Sequence, residues 1–392
     1  MPAPLCSIGA RKVMQTVRQI HFPRVLSSEG EHRAFEIMRR EMGALGVKVA
    51  FEEFVGPWVE YGEAFVEVGG RRVPVRPLIS PSYSTCHVPI AERVNLEGTL
   101  VDKAVLAGKE AERIALRKTC DEDRLCWPGV SAQLFVCDPV EDFLAYYLAC
   151  DEPVPSAWVD PQHGGFLFES VGSLCRLCWD SVACDKTYWN LVAEIRGSSK
   201  RDEVIIVGAH IDSWPGTVGA SDNAWGSAAL VEYAGWFVAH PPARTVRLIW
   251  FTGEELDRRG SRAYATTHCH DRESILLYVN QDSGVSVGHG EPAVAVTGGS
   301  ELIHGLEELV ADLGVCIRVH DPGFVSNDAK AFQDCGIPTV FVGARYVTPF
   351  PHPHLPTDRL DRLDPEKIRL VGGLSLSIVH AAEQGLLPLK GK

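Results

Sequence analysis

Residues 204–212 have the sequence VIIVGAHID, an apolar run that ends on a histidine and an acid. A short apolar run of mostly β-branched residues without alternation is typical of a strand buried on both faces of a parallel sheet. His210 and Asp212 lie two residues apart on this extended segment, so their side chains share one face. Asp212 can therefore hold the far imidazole nitrogen of His210, as carboxylates behind metal-bound histidines do. A histidine satisfied by a nearby acid in a loop is an equally good interpretation of this pair alone.

Two further apolar runs end in the same way. Residues 246–251 (VRLIWF) lead to Glu254 and Glu255, and residues 275–279 (ILLYV) lead to Asp282. Adjacent acids at the end of a buried strand are costly unless a cation neutralises one of them. Because the carboxyl ends of strands in an open α/β sheet border the ligand crevice, these side chains are expected to converge. Three successive strands that end in acids are hard to explain by capping alone.

Asp222 and His354 extend this set of metal-ligating residue types. Asp222 precedes a predicted helix, where an ordinary N-cap role competes with ligation. The set contains two imidazoles and several carboxylates and needs no thiolate. Such a set suits zinc or a similar divalent ion. The set is large enough for two ions that share one bridging carboxylate.

The second half of the chain alternates regularly between strand and helix patterns, which predicts an α/β fold with a mixed, mostly parallel sheet flanked by helices. Residues 74–184 are rich in strand and turn signals, which indicates a smaller β-rich insertion. Ser28 and Asp364 are expected to cap the first and last helices. The predicted strands are residues 190–195, 204–208, 246–251, 275–280 and 339–343. The predicted helices are residues 29–44, 225–239, 261–267, 301–313, 329–334 and 365–384.

The 392 residues carry a formal net charge of −13, which disfavours nucleic acid and anionic membranes as partners. No apolar run approaches the roughly 18 residues that span a bilayer. The N-terminus lacks the pattern of a secretory signal, so a cytoplasmic location is expected. Seven of the twelve cysteines lie between Cys120 and Cys184. Reduced thiols are favoured over disulfides there, and Cys175-Arg-Leu-Cys178 is a weak metal or redox signal.

Six segments together resemble the zinc exopeptidase family, which includes bacterial leucyl aminopeptidases, glutamate carboxypeptidases and the transferrin receptor. They are GAHIDS at 208–213, ASDN at 220–223, GEE at 253–255, NQD at 280–282, FQDCGIP at 332–338 and HLPTD at 354–358. The resemblance implies the zinc exopeptidase fold and two zinc ions, for which cobalt or manganese could substitute. The implied ligands are His210 and Asp282 for one ion and Glu255 and His354 for the other, with Asp222 bridging them.

The same resemblance implies that Glu254 is the general base, with Asp212 as a second catalytic residue. His352 competes with His354 for the last ligand position, and the spacing to Asp358 favours His354. The implied reaction is hydrolysis of a terminal peptide bond by metal-bound hydroxide, without a covalent intermediate. The chain is then expected to comprise an N-terminal part of the catalytic domain at 1–73, an insertion at 74–184 and the remaining catalytic domain at 185–392. The insertion resembles a protease-associated domain weakly and is otherwise interpreted as a lid.

The sequence also departs from the family pattern around the substrate pocket. Trp225 stands where a small residue is common, and Asn327-Asp328-Ala329 replaces a frequent Ser-Asp-His. The substrate-binding candidates are Arg345, Trp214 and Trp225. Lys330 is a further candidate for binding a carboxylate, although Arg345 and Lys330 could equally be solvated surface charges.

The resemblance leaves several functions open. An aminopeptidase acting on peptides or dipeptides is favoured, and a carboxypeptidase or dipeptidase on the same scaffold is the nearest alternative. The two differ in which terminus is recognised, since an ammonium needs acidic acceptors and a carboxylate needs an arginine or lysine. A glutaminyl cyclase and a non-catalytic receptor-like relative are less favoured, because all six segments keep their chemically important residues. A homo-oligomer is a possible assembly.

Overall fold

The computed structural model describes residues 5–77, 93–102, 112–118, 129–136, 154–214, 217–269, 274–287, 289–323, 325–346, 354 and 357–389. The chain divides into two compact units, the first made of Met1–Phe54 with Tyr188–Lys392 and the second of Val55–Thr187. The second unit contains residues 74–184. The interpretation of that segment as a lid or a protease-associated-like domain stays a prediction.

The described residues form helices and strands that we number in chain order. The helices are α1 Ala10–Gln19, α2 Glu29–Ala44, α3 Pro161–Glu169, α4 Trp225–Ala239, α5 Arg259–His268, α6 Ser300–Asp312, α7 Ala329–Asp334 and α8 Pro365–Gln384. The strands are β1 Val49–Tyr61, β2 Phe65–Val68, β3 Arg71–Pro77, β4 Arg93–Val101, β5 Arg113–Lys118, β6 Ala132–Val136, β7 Ser156–Val159, β8 Leu174–Ile195, β9 Lys200–His210, β10 Arg244–Phe251, β11 Ser274–Asn280, β12 His289–Thr297, β13 Arg318–His320 and β14 Thr339–Tyr346.

The sheet of the first unit has the strand order β13-β12-β14-β11-β9-β10-β8. Strands β14, β11, β9 and β10 are parallel, and β12 is parallel to β13. The β12–β14 and β10–β8 pairs are antiparallel. The predicted mixed, mostly parallel sheet is therefore confirmed.

Alternate residues of the central strands enter two different cores. In β9, Ile205 and Val207 join a large cluster with residues of α1, α2, α4 and α8. Ile206 instead joins a smaller cluster with residues of α5 and α7. Because side chains of a strand alternate between faces, this division shows that helices cover both faces of the sheet. Burial on both faces explains why the strands are continuously apolar.

Side-chain caps define the starts of α2 and α8. The Ser28 hydroxyl accepts a hydrogen bond from the backbone N–H of Glu31 at 3.2 Å, and the Asp364 carboxylate accepts one from Glu366 N–H at 2.9 Å. Pro365 occupies the first turn of α8, where its missing N–H costs nothing. Both helices have the bounds that these caps predict from the sequence.

The second unit is a small β structure whose strand pairings close on themselves. Its order is β8-β2-β3-β7-β6-β5-β4, and β4 pairs again with β8. This is the smaller β-rich part that the composition indicates. The described cysteines of the whole chain, which include Cys175, Cys178 and Cys184, are all free thiols. Burial raises the pKa of the Cys175 thiol to about 12, so a metal-binding thiolate is disfavoured there.

The register of the central strands brings their carboxyl ends to one edge. His210 pairs with Phe251 of β10, and Gly208 pairs with Asn280 of β11. Glu254 and Asp282 therefore follow at the same edge of the sheet. Among the described residues, no helix is long and apolar enough to cross a membrane.

Candidate metal centre

Five buried side chains meet at this edge in two overlapping groups of potential metal ligands. His210 Nε2 lies 3.0 Å from Asp222 Oδ1 and 3.5 Å from Asp282 Oδ1. His354 Nε2 lies 3.3 Å from Asp222 Oδ2 and 3.1 Å from Glu255 Oε2. The ligand atoms of each group lie within 4.8 Å of one another. Asp222 belongs to both groups and turns one carboxylate oxygen toward each.

The arrangement fits divalent cations. The five side chains are between 1% and 11% exposed, and Glu255 Oε1 is buried without a hydrogen-bond partner. Three carboxylates held this closely away from water require positive charge among them. Each group supplies nitrogen and oxygen ligands of the kind that zinc prefers, while the described cysteines are absent from both.

The two imidazoles show where positive charge is favoured. Burial alone would lower the pKa of His210, but the carboxylates of Asp282, Asp212 and Asp222 raise it well above the usual range. For His354, Glu255 and Asp222 likewise overcome the effect of burial and raise the pKa to about 10. A metal ion competes with such protons for the same nitrogen and oxygen atoms. The raised pKa values show that the surrounding carboxylates favour positive charge at both imidazoles.

Asp212 supports both His210 and the acidic pair that follows β10. Its Oδ1 lies 3.4 Å from His210 Nδ1, which is the contact predicted from the sequence. Its two oxygens also accept hydrogen bonds from the backbone N–H groups of Glu254 and Glu255, each at 3.2 Å. The Asp212 carboxylate thus orients the proposed ligand His210. It also holds Glu254 and Glu255, which the sequence predicts to be the general base and a ligand.

Glu254 lies beside the two groups without belonging to either. Burial raises the pKa of Glu254 well above its usual range, and the carboxylates of Asp328 and Asp282 add to the shift against the opposing effect of His210. Asp328 is itself 1% exposed, and burial raises its pKa to about 7. A carboxyl group that binds a proton this readily is suited to general acid–base chemistry.

Asp358 is a further buried acid to which the sequence assigned no role. Its carboxylate accepts hydrogen bonds from the backbone N–H groups of Ser221 at 2.8 Å and Asp222 at 2.9 Å. These contacts hold the segment that carries the shared Asp222 carboxylate. Burial raises the pKa of Asp358 to about 7. Its position four residues after His354 in the HLPTD segment is the signal that could have identified it.

The predicted substrate-binding residues lie in different surroundings in the structure. Trp225 is fully buried in the core, and its indole N–H donates to the Ser283 carbonyl at 3.0 Å. Because it has no exposed surface, it supports the site from behind and does not present its ring to a substrate. Lys330 pairs with Asp334 along α7. Arg345 lies in β14, but its side chain is outside the described part of the structure, as is His352.

Trp214 is 5% exposed and stacks on the His354 imidazole, with 4.2 Å between ring centroids and 10° between planes. This contact orients the His354 ring toward Asp222 and Glu255. Trp214 is thereby assigned to supporting a proposed ligand, whereas the sequence suggested substrate binding.

Trp214→Leu is expected to weaken metal binding at the His354 group by roughly tenfold, in the range seen when supports behind metal ligands are removed. Zinc titration in competition with a chelator measures the change. Trp236→Leu is the matched control, because Trp236 stacks in a similar way on His240, at 4.3 Å and 21°, and neither ring is part of the site. Equal zinc affinity in Trp214→Leu and the native protein would show that the stacking does not orient His354.

Comparison with known proteins agrees with this geometry. Residues 190–379 match the model of peptidase family M28. The chain is thus similar to peptidase family M28 over just under half of its length. The matched segment contains all five residues of the two ligand groups, and it excludes the second compact unit.

Three similar proteins differ in the activity that their names state. A probable leucine aminopeptidase of Arthroderma otae is 26% identical over 261 residues, which are 61% of this chain and 71% of that protein. Carboxypeptidase Q of Xenopus laevis is 35% identical over 106 residues, which are 26% of this chain and 22% of that protein. The solved structure of BSAP, a zinc aminopeptidase from Bacillus subtilis, has a TM-score of 0.74 at 18% identity and covers 98% of this chain and 96% of its own. The match to BSAP establishes a shared fold, and the match to carboxypeptidase Q spans under a quarter of that protein's length.

Proposed function

We propose that this chain is a di-zinc exopeptidase that removes residues from the amino terminus of peptides. The observation that carries the proposal is the position of Asp222, whose Oδ1 faces His210 and Asp282 while Oδ2 faces His354 and Glu255. A carboxylate that places one oxygen in each ligand group is better suited to bridging two ions than to binding a single ion. Its homo-oligomeric assembly and cytoplasmic location remain predictions.

The residues of the site divide the work of hydrolysis. When bound, a pair of zinc ions supplies a more acidic water and a polarised scissile carbonyl. Glu254, which has a raised pKa and lies outside the ligand groups, accepts the proton of the attacking water and returns it to the leaving amine. Asp212 holds the backbone of Glu254, so the carboxylate stays in position for both transfers.

The charge of the site favours a free ammonium over a free carboxylate. Beyond the three carboxylate ligands, three further acids lie within electrostatic reach of the centre. Glu254 and Asp328 interact with His210 and Asp282, and Asp358 interacts with Asp222. The Arg24 guanidinium beside Asp358 has its donors engaged with backbone carbonyls, so it is not available to a substrate carboxylate. The acidic groups offer acceptors to an ammonium.

Carboxypeptidase or dipeptidase activity is the second candidate. It is favoured by the similarity to carboxypeptidase Q and by the HIDSW segment at residues 210–214. In that case the cationic partner for a substrate carboxylate would come from a side chain outside the described residues, with Arg345 as the first choice. A glutaminyl cyclase is less favoured, because both ligand groups are complete and adjoin a free base.

A panel of substrates distinguishes these activities. The zinc-loaded protein is expected to cleave leucyl anilide at least roughly 100-fold faster than N-acetyl-leucyl anilide, since acetylation removes the ammonium that charge-assisted hydrogen bonds would hold. Cleavage of N-acetylated dipeptides without cleavage of leucyl anilide would replace the proposal with a carboxypeptidase. Cyclisation of an N-terminal glutamine without hydrolysis would replace it with a cyclase.

A further inference from the structure

Arg24 is a fully buried arginine far from the site in sequence, between α1 and α2. Its guanidinium donates to backbone carbonyls of two separate segments. The acceptors are Ile20 O at 2.8 Å, Phe22 O at 3.1 Å, Ile211 O at 2.8 Å, Val218 O at 2.7 Å and Gly219 O at 2.9 Å. Such a set of acceptors is unusual, because a buried arginine normally finds a carboxylate partner.

Three of the acceptors, Ile211, Val218 and Gly219, lie at the two ends of one loop of the site. Ile211 directly follows His210, and Gly219 lies three residues before Asp222. The guanidinium therefore joins the two ends of the loop, whose flanking side chains meet at 3.0 Å between His210 Nε2 and Asp222 Oδ1. The backbone near Gly219 is tightly packed, since a Cβ there would lie 2.1 Å from the Asp222 carbonyl oxygen. A shift of either loop end would therefore be transmitted to a proposed ligand.

The backbone of Arg24 reinforces this connection. Arg24 N–H donates to Ser213 Oγ at 3.0 Å, and Ser213 N–H donates to the Arg24 carbonyl at 3.2 Å. The Ser213 hydroxyl in turn donates to Thr217 O at 3.3 Å, within the same loop. Main chain and side chain of Arg24 thus fix the loop at its beginning, middle and end.

We propose that Arg24 is a positioning residue of the metal centre, which holds His210 and Asp222 in the arrangement that binds the ions. The inference rests on the proposed di-zinc function and names a residue outside the ligand groups. A planar guanidinium with five donors can reach carbonyls on both segments at once, whereas a lysine ammonium is a compact point charge with three donors. The fixed cation also lies near the acids of the site without neutralising any of them through a direct hydrogen bond.

The test compares Arg24→Lys with Arg244→Lys. Arg244 is a suitable control because its guanidinium also donates to two backbone carbonyls, Ala382 O and Glu383 O at 3.1 Å, at a place away from the ligand groups. Zinc and cobalt affinities are measured by competition with a chelator, together with kcat, KM and the melting temperature. Arg24→Lys is expected to bind metal roughly tenfold to 100-fold more weakly, which is the range found when supports of metal ligands are removed. Its kcat should fall by a larger factor than the factor by which its KM changes. Arg244→Lys should keep the native metal affinity within about twofold, even if its melting temperature falls as much as that of Arg24→Lys.

Native metal affinity and kcat in a folded Arg24→Lys protein would overturn the proposal, as would equal losses of affinity in the two variants. If Arg24→Lys does not fold, Ser213→Ala decides, because it removes the hydrogen bond that Arg24 N–H donates to Ser213 Oγ, one of the contacts by which Arg24 fixes the loop. A loss of about threefold or more in zinc affinity is then expected, and an unchanged affinity rejects the role of Arg24. Failure of the native protein to bind zinc would instead reject the proposed function itself, so the two failures are distinguishable.

Discussion

Glu254→Gln is expected to lower kcat by roughly 10²–10⁴ while both metal sites stay filled, which is the usual contribution of a general base. The glutamine amide has nearly the shape of the carboxyl group but cannot accept the proton of the attacking water. Metal occupancy should persist because Glu254 lies outside both ligand groups. Elemental analysis of the purified variant and its steady-state kinetics on leucyl anilide provide the two measurements.

The neighbouring residue is the matched control for this prediction. Glu255 Oε2 faces His354 Nε2 at 3.1 Å, so Glu255→Gln should lose occupancy of one ion along with activity. Equal metal loss in the two variants would show that the tasks of Glu254 and Glu255 have been assigned incorrectly. Full metal content in both would show that Glu255 is not a ligand.

Asp222→Asn is expected to release both ions and to lower activity by roughly 10³-fold or more, because the metal pair supplies the acidic water and the polarised carbonyl. An amide offers one oxygen and no charge, so it cannot face both histidine groups as the carboxylate does. Removing any other ligand affects one group alone. The measurement is metal content after dialysis, compared between Asp222→Asn and Asp282→Asn.

The same variant should also lose the stabilisation that metal binding gives to the fold. At free zinc 1,000 times above its dissociation constant, a single site adds about 4 kcal/mol to the free energy of unfolding. The melting temperature of the native protein should therefore rise on zinc addition, while that of Asp222→Asn should not. The exposed Asp312 on α6 provides a control, because Asp312→Asn should respond to zinc as the native protein does. A zinc response of native size in Asp222→Asn would argue against a shared ligand.

The central architecture follows from local patterns in the sequence. The predicted strands 204–208 and 246–251 lie within β9 and β10. They could be predicted because strands that are buried on both faces of a sheet have mostly apolar sequences. The start of α2 follows from the Ser28 cap, whose hydroxyl accepts from Glu31 N–H. The meeting of the proposed ligands could also be predicted, since parallel strands place their carboxyl ends at a common edge.

Other elements leave a weaker trace in the sequence. Helix α1 begins after Gly9 without a side-chain cap, and many of its residues are polar. Strand β12 contains a glycine and a proline near its start, and β13 has only three residues. Such short or interrupted segments at one side of the sheet are stabilised by pairing with neighbours that a local pattern does not reveal.

The supports of the metal centre were missed for a different reason. Arg24 lies 187 residues from Ile211, and Asp358 lies 137 residues from Ser221. Their contacts depend on backbone groups, which have no residue identity and therefore no signature in the sequence. The burial of Trp225 leaves no local signal either, because an aromatic residue beside a site is as compatible with core packing as with substrate contact.

The two hydrogen bonds from Glu254 and Glu255 to Asp212 tie consecutive residues to one anchor. The proposed general base and the proposed ligand beside it therefore share one support. A substitution at Asp212 would release both backbones at once, so turnover and metal retention are expected to fall together in any Asp212 variant.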